Sequence, residues 1–210
     1  MYSNLADQKR VDFFKEIITE LKKNQVTATV IIEDIDKSSK LANSSAKDNF
    51  EDVTMMLLER AEMELKKRKR TGVLIFDMPS GGRDDEKKFL WSYFETIASG
   101  TKYVKPDHFA INVLSTRSEF IRCLQAADLI TSVTLAYISG NKYAEEIFPE
   151  IKPLSNNDSG RINGVDIKIY PDEYINLYFW LLGEEYIWRS NDVIPLPLLG
   201  FPYEKDPWIP

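Results

Sequence analysis

The alternation of two apolar patterns is the feature that most constrains the fold of this chain. Segments with apolar residues three and four positions apart, typical of amphipathic helices, cover about 5–24, 48–69, 85–98 and 118–140. Between them lie three short apolar runs: VTATVIIED at 26–34, GVLIFD at 72–77 and HFAINVLS at 108–115. Strands that alternate with helices form a largely parallel sheet with helices on its faces. The sequence therefore predicts an α/β fold.

The GVLIFD run carries the most specific local predictions. It is continuously apolar, which is typical of a strand that is covered on both faces. A Pro/Gly loop follows, and Asp84 is expected to cap a helix over 85–98 that Gly100 ends.

The composition changes after about residue 150, so we predict an α/β domain over 1–150 and a C-terminal extension over 151–210. In the extension, 165–170 alternates like an exposed strand, and 173–188 is predicted to form a strongly apolar helix. The proline-rich tail, 195–210, is expected to be irregular because proline cannot continue helices or central strands. We expect it to act as an arm over the domain or over a dimer partner.

Composition limits the class of protein. The formal net charge of -6 argues against a wide basic surface that coats nucleic acid, although a local basic groove remains compatible with it. The single Cys123 excludes an internal disulfide and suits a reducing cytoplasm. No apolar run approaches the roughly 20 residues of a membrane span, and the first residues have no apolar signal core. We expect a cytoplasmic protein without a membrane segment.

Standard catalytic motifs are absent from the sequence: it has no phosphate-binding or dinucleotide glycine loop, no nucleophile elbow and no HExxH. His108 is the only histidine, which makes a serine-hydrolase triad or a histidine-rich zinc site a poor hypothesis. We expect His108 to be an ordinary imidazole at a strand edge.

Two carboxylates remain as candidates. Asp77 ends the GVLIFD run, and ligands of open α/β sheets bind outside the carboxyl ends of the strands. Asp128 lies in the helix predicted over 118–140, one turn after Gln125. It falls on a stripe that is predicted to face inward and that also contains Ile121, Leu124, Thr131 and Leu135. Converging carboxylates suit Mg²⁺ or Mn²⁺, which organise attack on a phosphodiester. The alternative is that Asp77 only forms a turn and Asp128 only caps or pairs locally.

Further side chains are compatible with such a site. Arg83 follows two glycines and offers a charge-assisted contact to a phosphate, unless this loop is only a wide turn. Gln125 is expected to orient Asp128 or contact substrate. Glu33, Asp34 and Asp36 follow the first apolar run and would reach the same sheet edge, or form a solvated loop.

The segment STRSEFIRCLQAADLITSVTLAYISG resembles the closing motif of a bacterial family called domain of unknown function 3800. The matching positions are Ser118, Gln125, Ala127, Asp128, Leu129 and Gly140. IDKSS, which contains Asp36, and VLIFD, which ends in Asp77, match two shorter motifs, so the resemblance covers roughly residues 10–140. It implies a ribonuclease-H-like fold and a nuclease that depends on Mg²⁺ or Mn²⁺. The implied metal ligands are Asp36, Asp77 and Asp128, the last two catalytic, and Ser118 and Gln125 of the closing motif would contact nucleic acid; Arg83 is a phosphate contact predicted from its own loop.

The family usually opens with a strand that carries Asp-Glu-Ser-Gly, and this sequence has no such motif. We therefore expect a shortened family member, a downstream start, or another chain that supplies the missing strands. The sheet edge left open is expected to be covered by the tail or by another subunit, as in a homodimer. The alternative function is a non-catalytic module that binds nucleic acid or protein, or a subunit that a partner chain completes.

Overall fold

The computed structural model describes residues 7–33, 49–79, 82–156, 162, 165–170, 177, 181–183, 186–189 and 192–195. Its α-helices are α1 (Asp7–Lys23), α2 (Asn49–Arg68), α3 (Arg83–Ser99), α4 (Arg122–Ile138) and α5 (Lys142–Ile151). Its strands are β1 (Val30–Glu33), β2 (Gly72–Asp77), β3 (Phe109–Thr116), β4 (Ile167–Tyr170), β5 (Tyr186–Arg189) and β6 (Asp192–Pro195). The predicted α/β class, with helices flanking parallel strands, is confirmed.

The chain forms two compact units. The first unit contains Met1–Val30, Ala126–Lys168 and Glu173–Pro210, and the second contains Ile31–Gln125 and Ile169–Asp172. β1 pairs with β4, and both strands contribute residues to each unit. The predicted boundary near residue 150 stays a prediction.

The core of the first unit is built around α1 and α5. Val11 and Ile18 of α1 are buried, as are Ile147, Phe148 and Ile151 of α5. The spacing of these residues places them on one face of each helix, so burying both stripes together removes apolar area from water. The ring of Phe148 also stacks on Tyr137 of α4, with ring centroids 4.4 Å apart.

The second unit is built around β2 and β3, which pair in parallel with Ile75 opposite Leu114 and Asp77 opposite Thr116. Phe76 points to the helical side, where its ring lies 4.1 Å from the ring of Phe89 of α3.

Tyr93 of α3 joins the helix to the sheet in the second unit. Its side chain is fully buried, and its hydroxyl donates to the carbonyl of Ala110, 3.0 Å away. Burial raises the pKa of the Tyr93 phenol because the charged form is poorly solvated there.

Several predicted elements match the described structure. α1, α2, β2, β3 and α4 lie where the apolar patterns predicted them, and Gly100 ends α3 with a positive φ of 74°. The strand predicted over 165–170 is β4, where Ile167 and Ile169 are buried.

Three local predictions are wrong. β2 is not covered on both faces, because Val73 and Ile75 are 58% and 38% exposed. Asp84 does not cap α3: the helix begins at Arg83, its N-cap is Gly82, and Asp84 lies in the first turn. The apolar helix predicted over 173–188 does not extend to its end, because 186–189 is strand β5, which pairs antiparallel with β6.

Most of the predicted proline-rich tail lies outside the described residues. Its first residue, Pro195, is the last residue of β6. Within the described ranges, no helix combines the length and the apolar character that crossing a membrane requires.

Candidate functional site

Asp77 lies at the carboxyl end of β2, where the end of β3 meets it. Its side chain is exposed, and its Oδ1 accepts a hydrogen bond of 2.8 Å from the backbone amide of Ser118. The hydrogen bonding between β2 and β3 continues one residue past Asp77, since the Met78 amide donates to the Thr116 carbonyl at 2.9 Å. The carboxylate is thus held in one orientation while it remains in contact with solvent.

The short 3-10 turn Ser118–Phe120 follows β3 and gathers two of the predicted site residues. The side-chain amide of Gln125 donates to the Glu119 carbonyl at 3.2 Å, and Arg117 lies 3.4 Å from the Glu119 carboxylate. The structure therefore brings Asp77, Ser118 and Gln125 to one loop. Gln125 was predicted to orient Asp128 or to contact substrate. Its side-chain amide instead bonds to the backbone carbonyl of Glu119.

Arg83 is the first residue of α3 and is exposed. The preceding Gly82 has a φ of 83°, a conformation that strongly favours glycine. Three acidic residues share the first turn with Arg83: Asp84, Asp85 and Glu86. They suit the helix dipole but weaken the attraction of this turn for a phosphate. The negative charges beside Arg83 therefore make it a weaker phosphate contact than the Gly-Gly-Arg sequence predicted.

Asp128 lies on the solvent side of α4, and the prediction that its stripe faces inward is wrong. The buried residues of α4 are Ile130, Val133, Thr134 and Ile138. Leu135, from the predicted inward stripe, is 63% exposed. The helix can bury Thr134 because its hydroxyl donates to the Ile130 carbonyl at 2.8 Å, which satisfies the polar group. Asp128 belongs to the first unit and Asp77 to the second.

A metal site was predicted from Asp36, Asp77 and Asp128. Asp36 lies outside the described residues. In the part of the chain that the structure describes, no group of three or more His, Cys, Asp or Glu side chains is arranged to hold a metal ion. Hard divalent cations take about six oxygen ligands, and the carboxyl end of β2 offers one acidic side chain. By itself this end of the sheet does not fit such an ion.

Sequence reasoning missed a second polar constellation, which lies where β3 begins. Glu62 of α2 is 3% exposed, and its carboxylate accepts from the His108 backbone amide at 3.1 Å and lies 2.6 Å from His108 Nδ1. The sequence signal was Glu62 itself, which falls between Leu58 and Leu65 in the apolar repeat of α2. A buried carboxylate needs such partners. The pair anchors β3 to α2.

Comparisons with protein-family models, with curated proteins and with solved structures found no match for this chain.

Proposed function

We propose that this chain is a nuclease-type phosphodiesterase that acts on nucleic acid, of the ribonuclease-H-like lineage implied by its resemblance to the domain of unknown function 3800 family. The observation that carries the proposal is the position of Asp77. Its carboxylate is exposed at the shared carboxyl end of two parallel strands. Substrates of parallel α/β sheets bind outside that edge.

The residues around Asp77 support a positioning role for the loop after β3. The Ser118 amide fixes one carboxylate oxygen, and Gln125 ties the same loop to the start of α4. Asp77 is exposed, so its second carboxylate oxygen is accessible to a cation or to a polar group of the substrate. Exposed Arg83 offers a charge-assisted contact to a phosphate of the nucleic acid.

Mg²⁺ or Mn²⁺, when bound, supplies Lewis-acid stabilisation of the phosphodiester's negative charge. Asp77 alone does not fit a divalent cation; the further ligands, Asp128 and Asp36, are those that the resemblance to the domain of unknown function 3800 family implies.

The test is a cleavage assay on labelled single-stranded DNA, duplex DNA and RNA, in Mn²⁺ and in EDTA. We expect cleavage in Mn²⁺ only. Asp77→Asn and Asp128→Asn should each reduce the rate by more than the roughly 100-fold that loss of an outer-shell metal partner costs. Asp107→Asn is the matched control, because Asp107 is an exposed aspartate that precedes β3 rather than following it. Cleavage that survives both test substitutions, or no cleavage by the wild type, contradicts the proposal.

A second candidate function, a subunit that a second copy of the chain completes, is supported by the open face of β2 and β3. Val73 and Ile75 on β2 and Leu114 on β3 are 58%, 38% and 53% exposed. Ile75 and Leu114 are register partners, so they lie on the same face of the pair. Parallel strands are normally covered on both faces, and most soluble oligomers contain identical chains.

Light scattering coupled to size exclusion, over a wide range of protein concentration, tests this candidate. We expect a dimer that Ile75→Thr combined with Leu114→Thr converts to a monomer, since threonine keeps strand propensity but adds a polar group. Leu57→Thr controls for the loss of an exposed leucine elsewhere, because Leu57 of α2 is 39% exposed. A wild-type monomer at every concentration excludes the homodimer without affecting the nuclease proposal.

A further inference from the structure

The first unit contains a cleft of about 310 Å³ between α1, α4 and α5. Most of its lining is apolar, including Val11 and Phe14 of α1 and Ile147 of α5. Four polar side chains join them: Arg10, Ser132, Asn141 and Tyr143. An apolar concavity with a few polar groups is the usual form of a small-molecule site. None of these residues belongs to the loop around Asp77.

Small side chains keep the cleft open. Ala136 of α4 and Ala144 of α5 both line it, and Ala144 is only 4% exposed. A larger side chain at either position would occupy the space between the helices. A volume of about 310 Å³ lies at the lower end of the roughly 300–1,000 Å³ that small-molecule pockets occupy, so the cleft suits a small ligand.

One side of the cleft carries a basic residue and the start of a helix. Arg10 is a lining residue, and α5 begins there, with the Asn141 side chain accepting from the Tyr143 amide at 3.0 Å. The positive end of the helix dipole therefore lies at the cleft. Lys142 Nζ lies 5.5 Å from the centre of the Tyr143 ring. A guanidinium has five N–H donors, so Arg10 can bind an anion while it keeps another contact.

The three helices carry eight acidic residues, none of which is among the residues that line the cleft: Asp7, Asp12, Glu16, Glu20, Asp128, Glu145, Glu146 and Glu150. Glu145 lies in the first turn of α5. Glu146 is committed to Lys15 of α1, at 3.8 Å, and Asp12 accepts from Gln8 at 3.1 Å. None of the three lines the cleft, whereas Arg10 does.

We propose that this cleft is a binding site for a small apolar carboxylate, with the alkyl or aryl part among the apolar side chains and the carboxylate on Arg10. The site is independent of the nuclease proposal, because it uses no residue of that site. Its apolar lining selects against inorganic anions, and its guanidinium selects against neutral molecules of the same shape.

Titration of the full chain with octanoate, followed by NMR chemical shifts or calorimetry, tests the proposal, with 1-octanol as the neutral probe of the same length. We expect saturable octanoate binding that is about tenfold or more tighter than that of 1-octanol, as one charge-assisted hydrogen bond usually provides. Arg10→Gln should reduce octanoate affinity to that of 1-octanol and leave 1-octanol unaffected.

Filling the cleft distinguishes specific binding from adsorption to other apolar surface. Ala136→Leu should abolish binding of both probes and keep or raise the thermal midpoint. Ala98→Leu, at an exposed position of α3, should change neither. Ser132→Leu, at a second lining position, replaces Ala136→Leu if that variant does not fold. Equal affinities of octanoate and 1-octanol, or octanoate binding that survives a folded cleft-filling variant, would overturn the proposal.

Discussion

The carboxylate of Asp77 accepts a hydrogen bond of 2.8 Å from the backbone amide of Ser118, and this bond joins the end of β2 to the turn that follows β3. The residue proposed as the central carboxylate of the site therefore also has a structural role. The two roles depend on different properties of the side chain: the structural bond needs an acceptor oxygen, whereas cation binding needs the negative charge.

Two substitutions at Asp77 separate these roles. Asp77→Ala removes the acceptor and should lower the free energy of unfolding by about 1 kcal/mol, as the loss of a capping side chain does. Asp77→Asn keeps a carbonyl acceptor, so it should cost distinctly less. Urea unfolding of both variants measures the difference. An alanine variant as stable as the wild type would show that the Ser118 bond contributes nothing.

Glu62 should be among the most sensitive polar positions of the second unit. Glu62→Ala leaves the His108 amide and ring without their buried acceptor, and an unsatisfied buried group costs about 1–3 kcal/mol. Glu62→Gln retains one acceptor oxygen and should cost less. Glu51→Ala, at an exposed position of the same helix, is the control and should be nearly neutral. We expect the urea midpoint to be lowest for Glu62→Ala, higher for Glu62→Gln and highest for the wild type. The reverse order would contradict the assigned hydrogen bonds.

The orientation of α4 can be tested with two alanine substitutions. Ile130 is 6% exposed and Leu135 is 63% exposed. Ile130→Ala should therefore cost about 2–5 kcal/mol, because it removes buried methyl groups and leaves a cavity. Leu135→Ala should lie within about 0.5 kcal/mol of the wild type. Thermal unfolding compares them, and the opposite ranking would restore the inward stripe that contains Asp128.

The reason for the error at α4 is physical. The helix has apolar residues on more than one side, so periodicity alone did not distinguish the stripe of Leu124 and Leu135 from that of Ile130 and Val133. The buried side also includes Thr134, whose hydroxyl bonds within the helix. Long helices and the β2–β3 pair were predictable because their spacing is regular. The Glu62–His108 pair was not, because a buried carboxylate is stable only through a partner 46 residues away.

Three elements, α5, β5 and β6, were missed for other reasons. α5 contains Pro149, and a proline inside a helical pattern argues against a helix, although this one tolerates it near its end. Its sequence signal was Asn141, an N-cap residue directly after Gly140. β5 and β6 lie in an aromatic and β-branched stretch that is ambiguous between helix and strand.

The ion pair between Lys22 and Glu150 predicts a pH-dependent contribution to the stability of the first unit. Lys22 Nζ lies 2.8 Å from Glu150 Oε2, and this hydrogen bond and charge hold the pKa of Glu150 below its ordinary value. A lowered pKa stabilises the fold above the ordinary pKa of the carboxyl, and the contribution is lost as pH falls through the lowered value.

Lys22→Gln should therefore destabilise the protein at neutral pH, by less than about 1 kcal/mol because the pair is partly exposed. The difference from the wild type should disappear in acid and shrink at high salt. Thermal midpoints across the acidic range measure it, with Lys9→Gln, at an exposed position of α1, as control. A difference that persists unchanged in acid contradicts the assigned pair.

The most direct test of the central claim is the thermal midpoint with and without millimolar Mn²⁺, for the wild type, Asp77→Asn, Asp128→Asn and the control Asp107→Asn. A ligand that binds only the folded state stabilises it by RT ln(1 + [L]/Kd), about 2.7 kcal/mol at 100 times Kd. The nuclease proposal predicts that Mn²⁺ raises the midpoint of the wild type and the control, and that both test substitutions abolish the rise. A wild type that does not respond, or a response that both substitutions leave intact, contradicts it.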